Sequence, residues 1–222
     1  MIEAFVFDFD GLIIDTEWCE YTSIAEQFDR FGLTYQVAHF QQFVGTAWPT
    51  GWVDEIEAQA PQAIDHDELM IARRARRDEL LAGYDVMPGV HRLIALAREH
   101  GFGLAVASSS SRDWVEGHLD RLDLRAHFDA VLTRNDVAQA KPAPDLFLAA
   151  AAALGVGQRG CVAFEDSHNG SRAAKAAEMT CVVAPNRITE VQDFAHVDLI
   201  VPALTHIELD GLRRLVANNM AG

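Results

Sequence analysis

Two aspartates one residue apart, Asp8 and Asp10, lie at the end of the first apolar run of the chain, just before Gly11. A buried strand normally ends in a turn, and two carboxylates placed there can bind a hard cation and a phosphoryl group. Asp-Phe-Asp-Gly is also typical of a strand-ending turn with solvated carboxylates. The apolar residues 12–14 weaken that alternative, because they hold the pair at a structured edge. The pair therefore predicts magnesium-dependent phosphotransfer through an aspartate of the chain itself.

Three further segments carry polar residues that could join this pair. The hydroxyl of Ser108 and the backbone N–H groups after it could bind an anion, although the run 108–111 could equally cap the following helix. Lys141 could be an ordinary surface lysine, and Glu165 with Asp166 could interact with the dipole of the next helix. Four such coincidences in strand-end order are improbable together, so we interpret them as one site.

Alternating strands and helices are predicted to position these residues. Such a pattern indicates an α/β fold with a doubly wound parallel sheet, a Rossmann-like core, and ligands bind at the carboxyl ends of its strands. The predicted strands are residues 2–7, 103–107, 130–133, 161–164 and 181–184. One predicted helix ends at His100, and the others span residues 112–122, 145–154 and 170–178.

The segment 16–83 interrupts this pattern, since it shows no convincing strand. Its periodicity predicts an inserted helical-bundle cap domain, and the core would then consist of residues 1–15 and 84–222. The predicted cap helices are residues 20–31, 37–43, 52–59 and 67–81.

Composition narrows the class of protein. Half of the 222 residues are apolar and 23% are charged, which is typical of a folded globular chain. The net charge of −15 repels phosphate backbones and anionic lipid, so we expect no nucleic-acid or membrane partner. Three cysteines without CxxC spacing indicate free thiols in a reducing cytosol, and the start of the chain does not resemble a signal peptide. A cytoplasmic protein is predicted.

The ordered motifs carry a resemblance to a known family. Asp8-x-Asp10-Gly11, Ser108, Lys141-Pro-x-Pro-Asp and Glu165-Asp166-Ser-x-Asn-Gly resemble the haloacid dehalogenase superfamily of phosphotransferases. Within it, the chain is most similar to the phosphatase and β-phosphoglucomutase-like branch with a helical cap after the first motif. The resemblance covers the whole chain, cap included.

This resemblance implies a role for each matching acid. Asp8 would attack phosphorus to form an aspartyl-phosphate, while Asp10 would protonate the leaving oxygen and then deprotonate the hydrolytic water. Mg²⁺ would be bound by the Asp8 carboxylate, the Asp10 backbone carbonyl and Asp166, with Glu165 contributing through water. Dehalogenase members lack the second acid, so Asp10 favours a phosphorylated substrate.

A second set of residues would contact the substrate, which is expected to be a small phosphorylated metabolite such as a sugar phosphate. Ser108 and Lys141 would bind the phosphoryl oxygens. The further candidates for substrate binding are Gly11, Ser109, Gly45, Thr46 and Arg76.

The cap bears on the choice between a phosphatase and a mutase. The resemblance implies that mutases carry a histidine in the first cap helix and an arginine in the cap loop, where this chain has Glu20 and Trp48. These departures favour hydrolysis, with a phosphosugar mutase as the alternative. A non-catalytic phosphoacceptor is a further alternative, but such a protein needs no general acid like Asp10.

Arg76 has two interpretations. It shares a helical stripe with Leu69, Ala72 and Leu80, among further arginines at 73, 74 and 77. The cluster could be solvated, with the arginine stems lying along apolar surface. Alternatively, it could form an anion-binding edge that closes over the active site.

Overall fold

The computed structural model describes residues 1–42, 51–60 and 63–221. The chain divides into two compact units: Met1–Ile14 with Asp85–Gly222, and Asp15–Tyr84.

The unit Asp15–Tyr84 is helical. Asp15 accepts a hydrogen bond from the backbone of Trp18, and Asp65 accepts one from the backbone of Glu68, so each of the two longest helices begins at an aspartate cap. The helices are α1 (Thr16–Asp29), α2 (Val37–Phe40), α3 (Gly51–Gln59) and α4 (His66–Ala82).

The other unit contains six strands among the described residues. Their side chains are mostly buried, as expected for a parallel sheet that is covered on both faces. The strands are β1 (Ala4–Phe7), β2 (Gly103–Ala107), β3 (Ala130–Leu132), β4 (Cys161–Glu165), β5 (Thr180–Val183) and β6 (Leu199–Ile200).

All strand pairs are parallel, in the order β3-β2-β1-β4-β5-β6. The first strand of the chain thus lies between β2 and β4, and the winding of the sheet reverses beside it. The predicted doubly wound sheet with an inserted helical segment is confirmed. The helices of this unit are α5 (Val90–His100), α6 (Arg112–Arg121), α7 (Asp145–Leu154), α8 (His168–Ala176) and α9 (Leu209–Ala221).

The sequence-based prediction missed β6 and α9. The strand β6 has two residues, which is too short to show a period. The predicted start of the first cap helix at residue 20 was also wrong, because the Asp15 cap starts α1 at Thr16. No helix in the described ranges is both long and apolar enough to cross a membrane.

Candidate active site

Three adjacent strands end at the same edge with polar residues. Phe7, the last residue of β1, lies opposite Val106 of β2 and Phe164 of β4. Asp8 follows β1, Ser108 follows β2, and Glu165 ends β4 just before Asp166. Parallel strands in register therefore deliver these side chains together at the edge where ligands bind in such sheets.

Lys141 connects two of these strand ends. Its amino group donates a hydrogen bond to Asp8 Oδ1 and another, of 2.6 Å, to Glu165 Oε1. The lysine side chain is 6% exposed, and its nitrogen lies 4.8 Å from the centre of the Phe147 ring. The interpretation as a surface lysine is therefore wrong.

The carboxylates of Asp8, Glu165 and Asp166 form a buried acidic cluster, in which one oxygen of each residue lies within 4.8 Å of one oxygen of each of the others. Burial, together with the charge of Glu165, raises the pKa of Asp8 to about 8, although Lys141 opposes this. Burial alone would lower the pKa of Lys141, but Asp8 and Glu165 raise it above its usual range. The cluster has three carboxylates and one lysine, which contacts Asp8 and Glu165, so it has the oxygen ligands and the excess of acidic groups that suit a hard cation.

The start of α8 fixes the orientation of Glu165. Its Oε2 accepts hydrogen bonds from the backbone of Asp166 at 3.2 Å and from the Ser167 hydroxyl at 3.1 Å. A Cβ atom at Gly170 would overlap the Glu165 carboxylate. Glycine is therefore required there for the carboxylate to lie against the first turn of the helix.

Asn186, in the loop after β5, orients the Asp166 carboxylate. Its Nδ2 donates to Asp166 Oδ2 at 2.8 Å and to the Gly11 carbonyl at 3.2 Å. Its Oδ1 accepts from the backbone of Ile188 and Thr189, which fixes the amide orientation. Gly11 has a φ of +81°, and a Cβ atom there would lie 2.6 Å from Asn186 Nδ2. The loops after β1, β4 and β5 thus meet at this amide.

The carboxyl group of Asp10 has a different environment. The Ser110 hydroxyl donates to its Oδ2 at 2.6 Å, with Ser108 Oγ 3.3 Å from the same atom, and Trp114 Nε1 donates to Oδ1 at 2.9 Å. Ser108 Oγ also accepts from the backbone of Ser110 at 3.0 Å. Ser111 is the N-cap residue of α6 but makes no side-chain cap bond. The side chains of Ser108 and Ser110 therefore serve Asp10. The alternative that the serine run caps the helix is wrong, because Asn135 Oδ1 accepts from the backbone of Arg112 instead.

A family model described as haloacid dehalogenase-like hydrolase matches residues 5–184, which include all of these groups except Asn186. The chain belongs to this family.

Relatives of known name and structure agree with this membership. A Bacillus subtilis (strain 168) protein named "Putative phosphatase YhcW" is 39% identical over 209 residues, which cover 94% of this chain and 95% of the relative. Hexitol phosphatase B of Escherichia coli (strain K12) is 32% identical over 235 residues, which cover 100% of this chain and 97% of the relative. A crystal structure of a CbbY variant from Rhodobacter sphaeroides in complex with xylulose-(1,5)bisphosphate has a TM-score of 0.76 at 30% identity, covering 96% of this chain and 99% of the other. The predicted haloacid dehalogenase-like enzyme is thus confirmed at the level of the family.

Among the other residues predicted to bind substrate in this haloacid dehalogenase-like hydrolase, Ser109 is exposed next to Ser108. Gly45 and Thr46 lie outside the described residues, and so does Trp48 of the mutase comparison. Arg76 lies in the helical unit, where it donates to Glu26 at 2.7 Å and to Glu79 at 2.8 Å. Substrate binding by Arg76 stays a prediction.

The buried face of α4 differs from the predicted stripe. Its buried residues are Leu69, Arg73 and Leu81, so Arg73 rather than Arg76 interrupts the apolar face. Arg73 donates to Glu20 Oε2, and Arg77 donates to Glu20 Oε1 at 3.1 Å. The interpretation as a solvated cluster is therefore wrong for Arg73, which connects α4 to α1.

Sequence reasoning missed Trp114 and Asn186. Asn186 follows Ala184-Pro185 just beyond the fifth predicted strand, so the strand-end argument that selected the acids would have selected it too. Trp114 is one helical turn after Ser110, and no chemical pattern distinguishes it from a core tryptophan.

Proposed function

We propose that this haloacid dehalogenase-like hydrolase is a magnesium-dependent phosphomonoester hydrolase that forms an aspartyl-phosphate on Asp8. The observation that carries the proposal is the buried lysine that joins Asp8 to Glu165, next to Asp166. A nucleophilic carboxylate must lie close to positive charge if it is to approach a phosphate dianion, and Lys141 is placed to supply that charge.

The acidic cluster fits Mg²⁺, because its carboxylates outnumber the single lysine and are hard oxygen donors. The Asp8 carboxylate, the Asp10 backbone carbonyl and Asp166 would hold the ion, with Glu165 contributing through water. When bound, the ion would neutralise charge on the phosphoryl oxygens.

The reaction then divides among the residues of the chain. An oxygen of Asp8 forms a bond to phosphorus as the bond to the leaving oxygen breaks, and Asp10 gives its proton to that oxygen. Asp10, now ionised, takes a proton from water, and the resulting hydroxide attacks phosphorus and releases Asp8. The Ser108 hydroxyl and the Lys141 amino group bind the phosphoryl oxygens in both steps.

Hydrolysis is favoured over isomerisation by the partners of Glu20. Both oxygens of this carboxylate are bound by arginines, Arg73 and Arg77, within the helical unit. The position at which the mutase branch has a cap histidine therefore carries a structural ion pair in this chain.

The substrate class is proposed from the relatives. One is named for hexitol phosphates, and another was crystallised with a bisphosphate of a sugar. We therefore propose a phosphorylated sugar or sugar alcohol as the substrate. A cytoplasmic location is also proposed, since Cys161 and Cys181 are buried thiols that form no disulfide.

A screen of phosphorylated sugars and sugar alcohols tests the proposal, with released phosphate measured in the presence of Mg²⁺. Wild-type protein should release phosphate from at least one of them, and Asp8→Asn protein should not. The same assay with β-glucose 1-phosphate and a bisphosphate primer tests the mutase alternative. Glucose 6-phosphate formed without free phosphate would overturn the choice of a hydrolase.

A further inference from the structure

We propose that Trp114 and Ser110 are positioning residues that fix the Asp10 carboxyl group for proton transfer to the leaving oxygen. The inference rests on the proposed acid role of Asp10. It adds two residues, both on or next to the first turn of α6, that the motifs do not identify.

Each oxygen of the Asp10 carboxyl group has a donor of its own. Trp114 Nε1 lies 2.9 Å from Oδ1, and the Ser110 hydroxyl lies 2.6 Å from Oδ2. Donors on both oxygens restrict rotation of the carboxyl group about its bond to Cβ. A carboxyl group that is already oriented loses less freedom on reaching the transition state, and this accelerates the proton transfer.

The two donors differ in chemistry. An indole N–H can only donate, so Oδ1 is the oxygen that does not carry the proton of neutral Asp10. A serine hydroxyl can donate to a carboxylate or accept from a carboxylic acid. Ser110 can therefore stay hydrogen bonded to Oδ2 before and after Asp10 gives up its proton.

The helix α6, which carries Trp114 and follows Ser110, is fixed by its packing. Val115 and Leu119 anchor α6 in the core with fully buried side chains. The Trp114 ring also packs edge-on against His118, with 4.3 Å between ring centres. The indole N–H is therefore held by the packing of the helix, and a phenylalanine at position 114 would keep much of this packing while removing the donor.

A series of substituted phenyl phosphates tests the inference, because it varies the leaving group at nearly constant shape. p-Nitrophenol leaves readily without a proton, whereas phenol, with a pKa of about 10, requires one. Trp114→Phe should lower kcat/KM for phenyl phosphate by about five- to tenfold, as expected for one lost hydrogen bond to a reacting group. It should change kcat/KM for p-nitrophenyl phosphate by less than about twofold.

Ser110→Ala should show the same dependence on the leaving group. Ser111→Ala is its matched control, since the neighbouring serine makes no side-chain cap bond and should give wild-type rates with both substrates. The melting temperature of each variant and its rise with added Mg²⁺ should match wild type, which separates positioning from a general loss of structure.

Equal losses with both phenyl phosphates, or a raised KM with an unchanged leaving-group dependence, would overturn the inference. The Asp10→Asn variant separates this failure from a failure of the proposed function. If Asp10→Asn lowers kcat/KM equally for phenyl phosphate and p-nitrophenyl phosphate, the acid role of Asp10 is wrong. If Asp10→Asn lowers kcat/KM much more for phenyl phosphate than for p-nitrophenyl phosphate, and Trp114→Phe does not, only the positioning role is wrong.

Discussion

The carboxyl group of Asp8 is buried beside Glu165, so its charge is costly in protein that lacks a bound cation. This burial raises the pKa of Asp8 from 3.8 to about 8. As the pH rises from about 4 to about 8, the unfolded chain releases this proton before the folded protein does. The free energy of unfolding contributed by Asp8 therefore falls across that window and is constant above it.

We expect this dependence to disappear in Asp8→Asn protein, because an amide does not titrate. In a chelator, the melting temperature of the variant relative to wild type should rise between pH of about 5 and about 8. Thermal unfolding followed by circular dichroism at several pH values measures this. A constant difference across the window would show that Asp8 is ionised in the folded, metal-free protein.

The Asp8→Asn substitution should also abolish turnover. Asparagine is nearly isosteric with aspartate but lacks a nucleophilic oxygen, so we expect phosphate release to fall by at least about a thousandfold. A far-ultraviolet circular dichroism spectrum equal to that of wild type would show that the fold is retained. Activity above a tenth of wild type would contradict the covalent mechanism.

At the scale of the elements, α8 can lie close to the end of β4 only because Gly170 has no side chain. Gly170→Ala should displace Glu165 and reduce the rise in melting temperature caused by Mg²⁺. Gly117→Ala is the matched control: position 117 is exposed on α6, and an added Cβ would meet no atom within 4 Å apart from its chain neighbours and the backbone of its own helix. The control should stabilise the protein by about 0.5–1 kcal/mol, since alanine favours helix. Equal Mg²⁺ responses in the two variants would contradict the role assigned to Gly170.

The loop after β5 allows a second test at this scale. Asn186→Asp keeps an oxygen for the backbone of Ile188 and Thr189 but replaces the donor to Asp166 by a second acceptor. We expect Mg²⁺ affinity, measured by calorimetry, to fall by about ten- to a hundredfold, the usual cost of losing a partner of a metal ligand. Asn135→Asp is the control, because Asn135 caps α6 through its side-chain oxygen. A similar affinity loss in both variants would indicate a general effect of added charge.

How far the sequence predicts the structure also depends on the element. The bounds of β2 and α7 match their predictions, because each is a continuous apolar run between clear breakers. The strand ends then place Asp8, Ser108 and Glu165 at one edge without further information. The partners of Lys141, Asp10 and Arg73 depend on loop paths and rotamers instead, and no spacing in the sequence contains these.

For the whole molecule, the net charge of −15 makes a bound cation more important to the active site, since the surrounding field does not attract a phosphate dianion. We expect metal-free protein to be inactive and Mg²⁺ to restore activity. Ca²⁺ should inhibit, because its larger coordination shell accepts both oxygens of a carboxylate and would occupy the attacking oxygen of Asp8. Phosphate release in Mg²⁺ with increasing Ca²⁺ measures this, and full activity in Ca²⁺ alone would contradict it.

The central place of β1 in the sheet also has a consequence for biosynthesis. Asp8 leaves the ribosome well before β4, yet β1 pairs on one side with this strand, which begins at Cys161. The strand that precedes Asp8 must therefore remain partly unpaired until β4 has been translated. Neither the acidic cluster nor the contact of Lys141 with Glu165 can form before then. We therefore expect a chain truncated before β4 to show no phosphatase activity.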